Sequence, residues 1–136
     1  MNFDEKLMAQ KGHGDYTSLN TEDLPTFFLA YLTDPSDSGK IHSNVYERWS
    51  NGDAEVRSGM KKFAELTELA VASIRDKDWQ KLGSLMDDNF ENRRSLYGDA
   101  ALGEKNLKMI EIARKHGAHA KFPGSNWRFH QNNEMF

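Results

Sequence analysis

The chain has no cysteine, which excludes disulfides and thiolate metal sites and suits a reducing compartment. It has no long apolar run. No window approaches the roughly 18 residues that a membrane helix needs, and the start "MNFDEKLMAQ" lacks the basic and apolar regions of a signal peptide. Nor has it an excess of positive charge. The net charge is −3 and the pI about 5.9, so bulk charge recruits neither nucleic acid nor an anionic membrane. Internal repeats and low-complexity tracts are missing too. Its five histidines (His13, His42, His116, His119 and His130) show no H-x-x-x-H spacing. Gly117 separates His116 from His119, so a shared helical metal face is not expected. A soluble, cytoplasmic protein with no metal site and no nucleic-acid or membrane partner is the expectation.

What is present is ordinary globular composition, 38% apolar and 29% charged over 136 residues, slightly apolar-poor. A chain of this length makes one domain or part of one. It buries roughly two thirds of its unfolded surface, enough for a real core.

"KGHGDY" puts Gly12 and Gly14 around His13, a turn signal. In "LPTFFLAYLTDP", Thr26 to Thr33 form an apolar, β-favouring run between Pro25 and Pro35. Such a run reads as a short strand buried on both faces. Helices follow. Ser43 is placed to cap "NVYERWSN", which Gly52 ends, and Asp53 opens a longer helix. Val56, Met60, Phe63, Thr67, Ala70 and Ile74 step alternately by four and three, one helical face. A third helix starts near Asp78, with Trp79, Leu82, Met86, Phe90 and Tyr97 as its buried stripe and Gly98 as its stop. A fourth runs from Leu102 to Lys115, with Leu107, Ile110 and Ala113 inward and Gly117 as its C′ residue. "AHAKF" alternates in the manner of a short strand. Two strands alone make no stable sheet, so partner strands are expected elsewhere, and "MNF" reads as the stub of one.

Three clusters hold the residues able to do chemistry. Asp34 to Ser43, "DPSDSGKIHS", carries Asp37, Lys40, His42 and three serines at a helix entrance. By composition it reads as a capped loop; the alternative is an anion site, where helix-start N–H groups and Lys40 attract negative charge. "SGK" lacks the upstream glycine and following hydroxyl of a Walker loop. Arg93 and Arg94 follow Phe90. A paired arginine can grip a carboxylate, and the plain alternative is a solvated face with Glu91 as partner. "KFPGS", Lys121 to Ser125, reads as a turn or as bare backbone amides brought close to a ligand.

Together these segments resemble the C-terminal half of the GHMP kinases, and within them the glucuronokinase-like sugar kinases. The matching stretches are "GHGDY", "LPTFFLAYLTDPSDSGKIHSNVYERW", "NFENRRSLYGD" and "LGEKNLKMIEIARKHGAHAKFPGS". The resemblance implies an α+β fold, a helix-rich C-terminal kinase-like domain over residues 1–125 with a small, incomplete antiparallel sheet. It implies transfer of the γ-phosphoryl group of ATP, with Mg²⁺, to the anomeric hydroxyl of glucuronate. It implies that Ser36, Asp37, Ser38, Lys40, His42 and Arg93 contact the acidic sugar. Asp37 is the sole candidate for catalysis, more suited to orienting a hydroxyl than to acting as a base. Lys121, Gly124 and Ser125 would begin a glycine-rich segment beside the nucleotide.

The chain departs from the family twice. It holds no serine- and glycine-rich phosphate loop, and it lacks the N-terminal half that supplies the family's usual acidic residue. After "PGS" it reads "NWRFHQNNEMF", where the family continues in glycine. Asn126 and Trp127 carry a Cβ that keeps backbone away from a triphosphate. Residues 126–136 are therefore expected to be a divergent, irregular tail of gene-model, frameshift or alternative-exon origin. The isolated chain is expected to be inactive, with a missing N-terminal kinase half as its partner. The alternatives are a catalytically dead interaction or regulatory module and a non-functional truncation product.

Overall fold

The structure is a computed structural model that describes residues 5–20, 22, 24–32 and 39–123, with side chains over all of these but 39–43. Six helices follow in order: α1 Glu5–Lys11, α2 Gly39–Ser50, α3 Ala54–Arg75, α4 Trp79–Tyr97, α5 Asp99–Leu102 and α6 Glu104–Lys115. Among the described residues there is no strand. The expected small antiparallel sheet, and with it the α+β fold class, is therefore corrected to an all-helical arrangement over these residues. The reason is that a strand exists only through a neighbour. Neither residues 26–32 nor residues 118–122 have a pairing strand among the described residues.

The helices stand close to where local chemistry puts them. Asp53 caps α3, its Oδ1 accepting from the N–H groups of Glu55 at 2.9 Å and Val56 at 3.2 Å. Asp78 caps α4 by accepting from the Lys81 N–H at 3.0 Å. Each satisfies N–H groups that a helix start leaves open. Gly98 ends α4, its N–H bonding the Arg94 carbonyl at 2.8 Å. Two boundaries differ from expectation. The helix expected from Ser43 begins at Gly39, and the one expected from Leu102 begins at Glu104, after a separate short helix, α5, that Gly103 ends.

The body is the antiparallel pair α3 and α4. Val56, Gly59, Leu66 and Ser73 are buried on one helix and Leu82, Leu85, Asn92 and Leu96 on the other, while Phe90 is buried against α5 and α6. This stripe is rotated from the expected one: Thr67 points outward, and Gly59 takes the closest approach. A Cβ at Gly59 would lie 2.5 Å from Leu96 Cδ1. The buried Asn92 Nδ2 donates to the Gly59 carbonyl at 2.9 Å, fastening the crossing.

Two apolar clusters flank the pair. Val45, Val56 and Leu96 join α2 to it, with Met60 and Phe63 alongside. Phe90, Leu102 and Ile110 join α5 and α6 to it, with Leu107, Ala120 and Phe122 alongside. Tyr97 touches both. Burying a residue of this size stabilises by about 1.5–3 kcal/mol. Arg48 clips the α2 end: its Nε meets Asp53 at 2.7 Å, while its Nη1 donates to the Leu96 carbonyl at 3.2 Å and its Nη2 to Glu55 at 3.0 Å.

Candidate functional site

The site is built where residues 118–122 run along α4 from Gly83 to Arg93. Asp87, Phe90, Arg93 and Tyr97 step by three, three and four, so they share a face of that helix. The chain returning from α6 lies over this face. Phe122 meets Phe90 edge to face, ring centroids 5.7 Å apart, a favourable aromatic geometry. Arg114 of α6 also stacks over the same ring, its guanidinium carbon 4.7 Å from the Phe90 centroid.

Asp87 fixes the crossing. Its Oδ2 accepts from His119 Nδ1 at 2.6 Å, and its Oδ1 accepts from the Ala120 N–H and from Arg114 Nε, both at 3.2 Å. Arg114 Nη1 also reaches Glu91 at 2.6 Å. Burial works to raise the Asp87 carboxyl, but the His119 and Ala120 hydrogen bonds and the Arg114 charge outweigh it and hold it below the usual carboxylate range. The imidazole of His119 lies against Gly83, close enough that any Cβ at Gly83 would collide with it. A glycine at that position is what lets the returning chain approach α4.

Past this latch stand two cations. Arg93 sits between two rings, its guanidinium carbon 5.4 Å from the Tyr97 centroid and 5.9 Å from that of Phe122. Lys121 is half-buried beside it, its Nζ donating to the Phe122 carbonyl at 2.9 Å. Burial first, and the Arg93 charge second, push the Lys121 ammonium below its ordinary pKa. An anion beside Lys121 would offset the burial and the Arg93 charge that disfavour its ammonium. The planar fork of Arg93 suits a carboxylate or phosphate.

Of the expected site residues, then, Arg93 and Lys121 come together, although the resemblance assigned one to the sugar and the other to the nucleotide. Lys40 and His42 fall in the first turn of α2, where the backbone is described. Ser36, Asp37, Ser38, Gly124 and Ser125 lie outside the described residues, as do "MNF" and the tail 126–136. Arg94 turns away from Arg93 to a bidentate pair with Asp99, at 2.5 and 2.6 Å. Glu91, its expected partner, serves Arg114 instead. Sequence reasoning missed the Asp87–His119 pair. Its signal was present: Asp87 precedes Phe90 by one turn, on the face that the stripe already marked as inward.

A shallow depression of about 510 Å³ opens between α2 and the end of α4, lined by Val45, Arg48, Leu96, Gly98 and Ala101 among others. Its one cation, Arg48, is committed to Asp53 and Glu55, so its chemistry is weaker than that of the Arg93–Lys121 pair. Among the described residues no three carboxylate or imidazole groups converge on one point. Among them too, no helix is long and apolar enough to cross a membrane.

Comparison with known proteins gives two plant relatives. Over 125 residues, 92% of this chain, it is 45% identical to "Probable glucuronokinase 2" of Arabidopsis thaliana. It is 44% identical over 125 residues to "Glucuronokinase 1" of the same plant. The chain spans about a third of the length of each, 34%. No family model and no solved structure matches. Over nearly its whole length, therefore, this chain is similar to one third of a glucuronokinase.

Proposed function

We propose that this chain forms the sugar-side part of an ATP-dependent sugar kinase of the glucuronokinase and GHMP kind, which phosphorylates glucuronate to glucuronate 1-phosphate. The observation that carries the reading is 45% identity sustained over 92% of the chain. Residues 1–125 are the kinase-like part and 126–136 a divergent tail. The cationic pair supports the substrate class. Glucuronate differs from a neutral sugar by one carboxylate, and a carboxylate beside Arg93 and Lys121 would offset what depresses the Lys121 ammonium. Ser36, Asp37, Ser38, Lys40 and His42 would meet the sugar from the start of α2, with Asp37 orienting a hydroxyl.

Phosphoryl transfer depends on positioning and on neutralising the nucleotide's charge. No stretch of this chain supplies the serine- and glycine-rich phosphate cradle that does so in the family it resembles. Alone, it holds the acidic sugar and does not turn over ATP; ATP and Mg²⁺ are engaged through the part that completes it.

The test is a chimera in which this chain's matched 125 residues replace their counterparts in the Arabidopsis glucuronokinase. The reading expects glucuronate-dependent ATP turnover from the chimera and none from the chain alone. Glucuronate should also raise the melting temperature of the isolated chain, and Mg-ATP should not. A folded chimera that is inert, or turnover by the isolated chain, contradicts the reading.

A further inference from the structure

Lys121 stands between two anchors that tie the returning chain to α4. The polar anchor precedes it. Asp87 Oδ2 accepts from His119 Nδ1 at 2.6 Å, and Asp87 Oδ1 accepts from the Ala120 N–H at 3.2 Å. The apolar anchor follows it, where the Phe122 ring packs on Phe90 with centroids 5.7 Å apart. Asp87, Phe90 and Arg93 succeed one another at three-residue steps along α4, about 4.5 Å of rise each. One helix face thus carries both anchors and the guanidinium, and the spacing of Lys121 from Arg93 follows from the anchors.

A carboxylate near an anion site is unfavourable by charge alone. Arg114 answers Asp87 at 3.2 Å but is shared with Glu91 at 2.6 Å. What Asp87 contributes is therefore geometry. We infer, resting on the function proposed above, that Asp87 and His119 are positioning residues for the acidic sugar: through residues 119–121 they hold the Lys121 ammonium where it and the Arg93 guanidinium reach one carboxylate. Neither touches the sugar. Gly83 belongs to the same device, since a Cβ there collides with the His119 imidazole and pushes the polar anchor off the helix.

Steady-state kinetics of the chimera tests this with Asp87→Asn, Gly83→Ala, His119→Ala and His119→Asn. Asp87→Asn removes a negative charge close to the site, so charge alone would tighten glucuronate binding. The inference expects the reverse: a KM for glucuronate raised about tenfold, with kcat and the KM for ATP within about twofold of the parent. Gly83→Ala should act in the same direction although it alters no charge and favours the helix intrinsically. His119→Ala should match it. His119→Asn, whose amide nitrogen can donate in place of Nδ1, should keep the KM for glucuronate within about threefold of the parent.

A KM for glucuronate that falls or stays put in Asp87→Asn overturns the inference. So does His119→Asn as damaging as His119→Ala, or a change in kcat and both KM values together, which is the mark of a merely structural pair. The two proposals fail separately. An active chimera whose KM for glucuronate ignores these substitutions sinks the positioning role alone. If the chimera is inert, the same order of variants in the glucuronate affinity of the isolated chain, read by calorimetry, upholds the positioning role while the kinase reading falls. An isolated chain and a chimera that both fail to bind glucuronate sink both.

Discussion

Phe28 and Phe90 are the same side chain in two regions that solve the same problem differently. Phe90 is 2% exposed, held between Phe122, Arg114, Leu102 and Ile110; Phe28 is 94% exposed. Phe28 lies in an apolar run, whereas Phe90 is a single apolar residue within Asp-Asp-Asn-Phe-Glu-Asn-Arg-Arg. The difference is the kind of structure each stretch asks for. A helix meets its backbone hydrogen bonds within itself and needs only one stripe covered. A strand needs a neighbour for its backbone and cover for two faces. The helical region that completes itself is packed, and residues 26–32, which have no pairing strand among the described residues, are bare.

Truncating the two phenylalanines sharpens that contrast most. Phe90→Ala should destabilise the isolated chain by about 3–5 kcal/mol, read by chemical denaturation, whereas Phe28→Ala should cost under about 0.5 kcal/mol. Equal effects would break the comparison. The next largest effect is at the α3–α4 crossing. Gly59→Ala forces a Cβ against Leu96 and should cost about 1–3 kcal/mol, as overpacking does. No loss there would mean that the helices sit further apart than described.

Acid should loosen the returning chain before it unfolds the helices. The Asp87 carboxyl is depressed in the folded state. The stability it lends is thus present above its unfolded pKa of about 3.9 and is lost as pH falls through the lower folded value. Exchange of amides 118–122 should accelerate below about pH 4, and Asp87→Asn should show that faster exchange at neutral pH already. At the other end, Lys121 is depressed below 10.5. Between its folded and unfolded pKa the unfolded chain holds more protons, so this group makes stability rise with pH across that window. A bound anion restores the proton, so glucuronate affinity should fall as pH climbs through the window, and Lys121→Met should remove that dependence. This is the smallest of the effects, because Arg93 remains.

Where a feature depended on neighbours a few residues away, the sequence revealed it. Asp53 and Asp78 read as caps and are caps; Gly98 and Gly117 read as helix stops and stand just past α4 and α6. The outward turn of Thr67 was hidden, because packing and not spacing sets it, whereas the break at Gly103, with φ at 83°, was a local glycine signal left unread. The strands failed for the same reason on a larger scale, since pairing is non-local. Arg93 and Lys121 stand out singly in the sequence as a cation after an aromatic and a cation before Pro-Gly. Nothing local says that they meet. The link is Asp87 with His119, a tertiary contact that only the folded chain makes.

The assignment of Arg93 to the acidic sugar is tested most directly by steady-state kinetics of the chimera with Arg93→Ala. Loss of a carboxylate contact should raise the KM for glucuronate about tenfold or more while the KM for ATP stays within about twofold. A KM for glucuronate that does not move, or one that rises only in step with the KM for ATP, would contradict it.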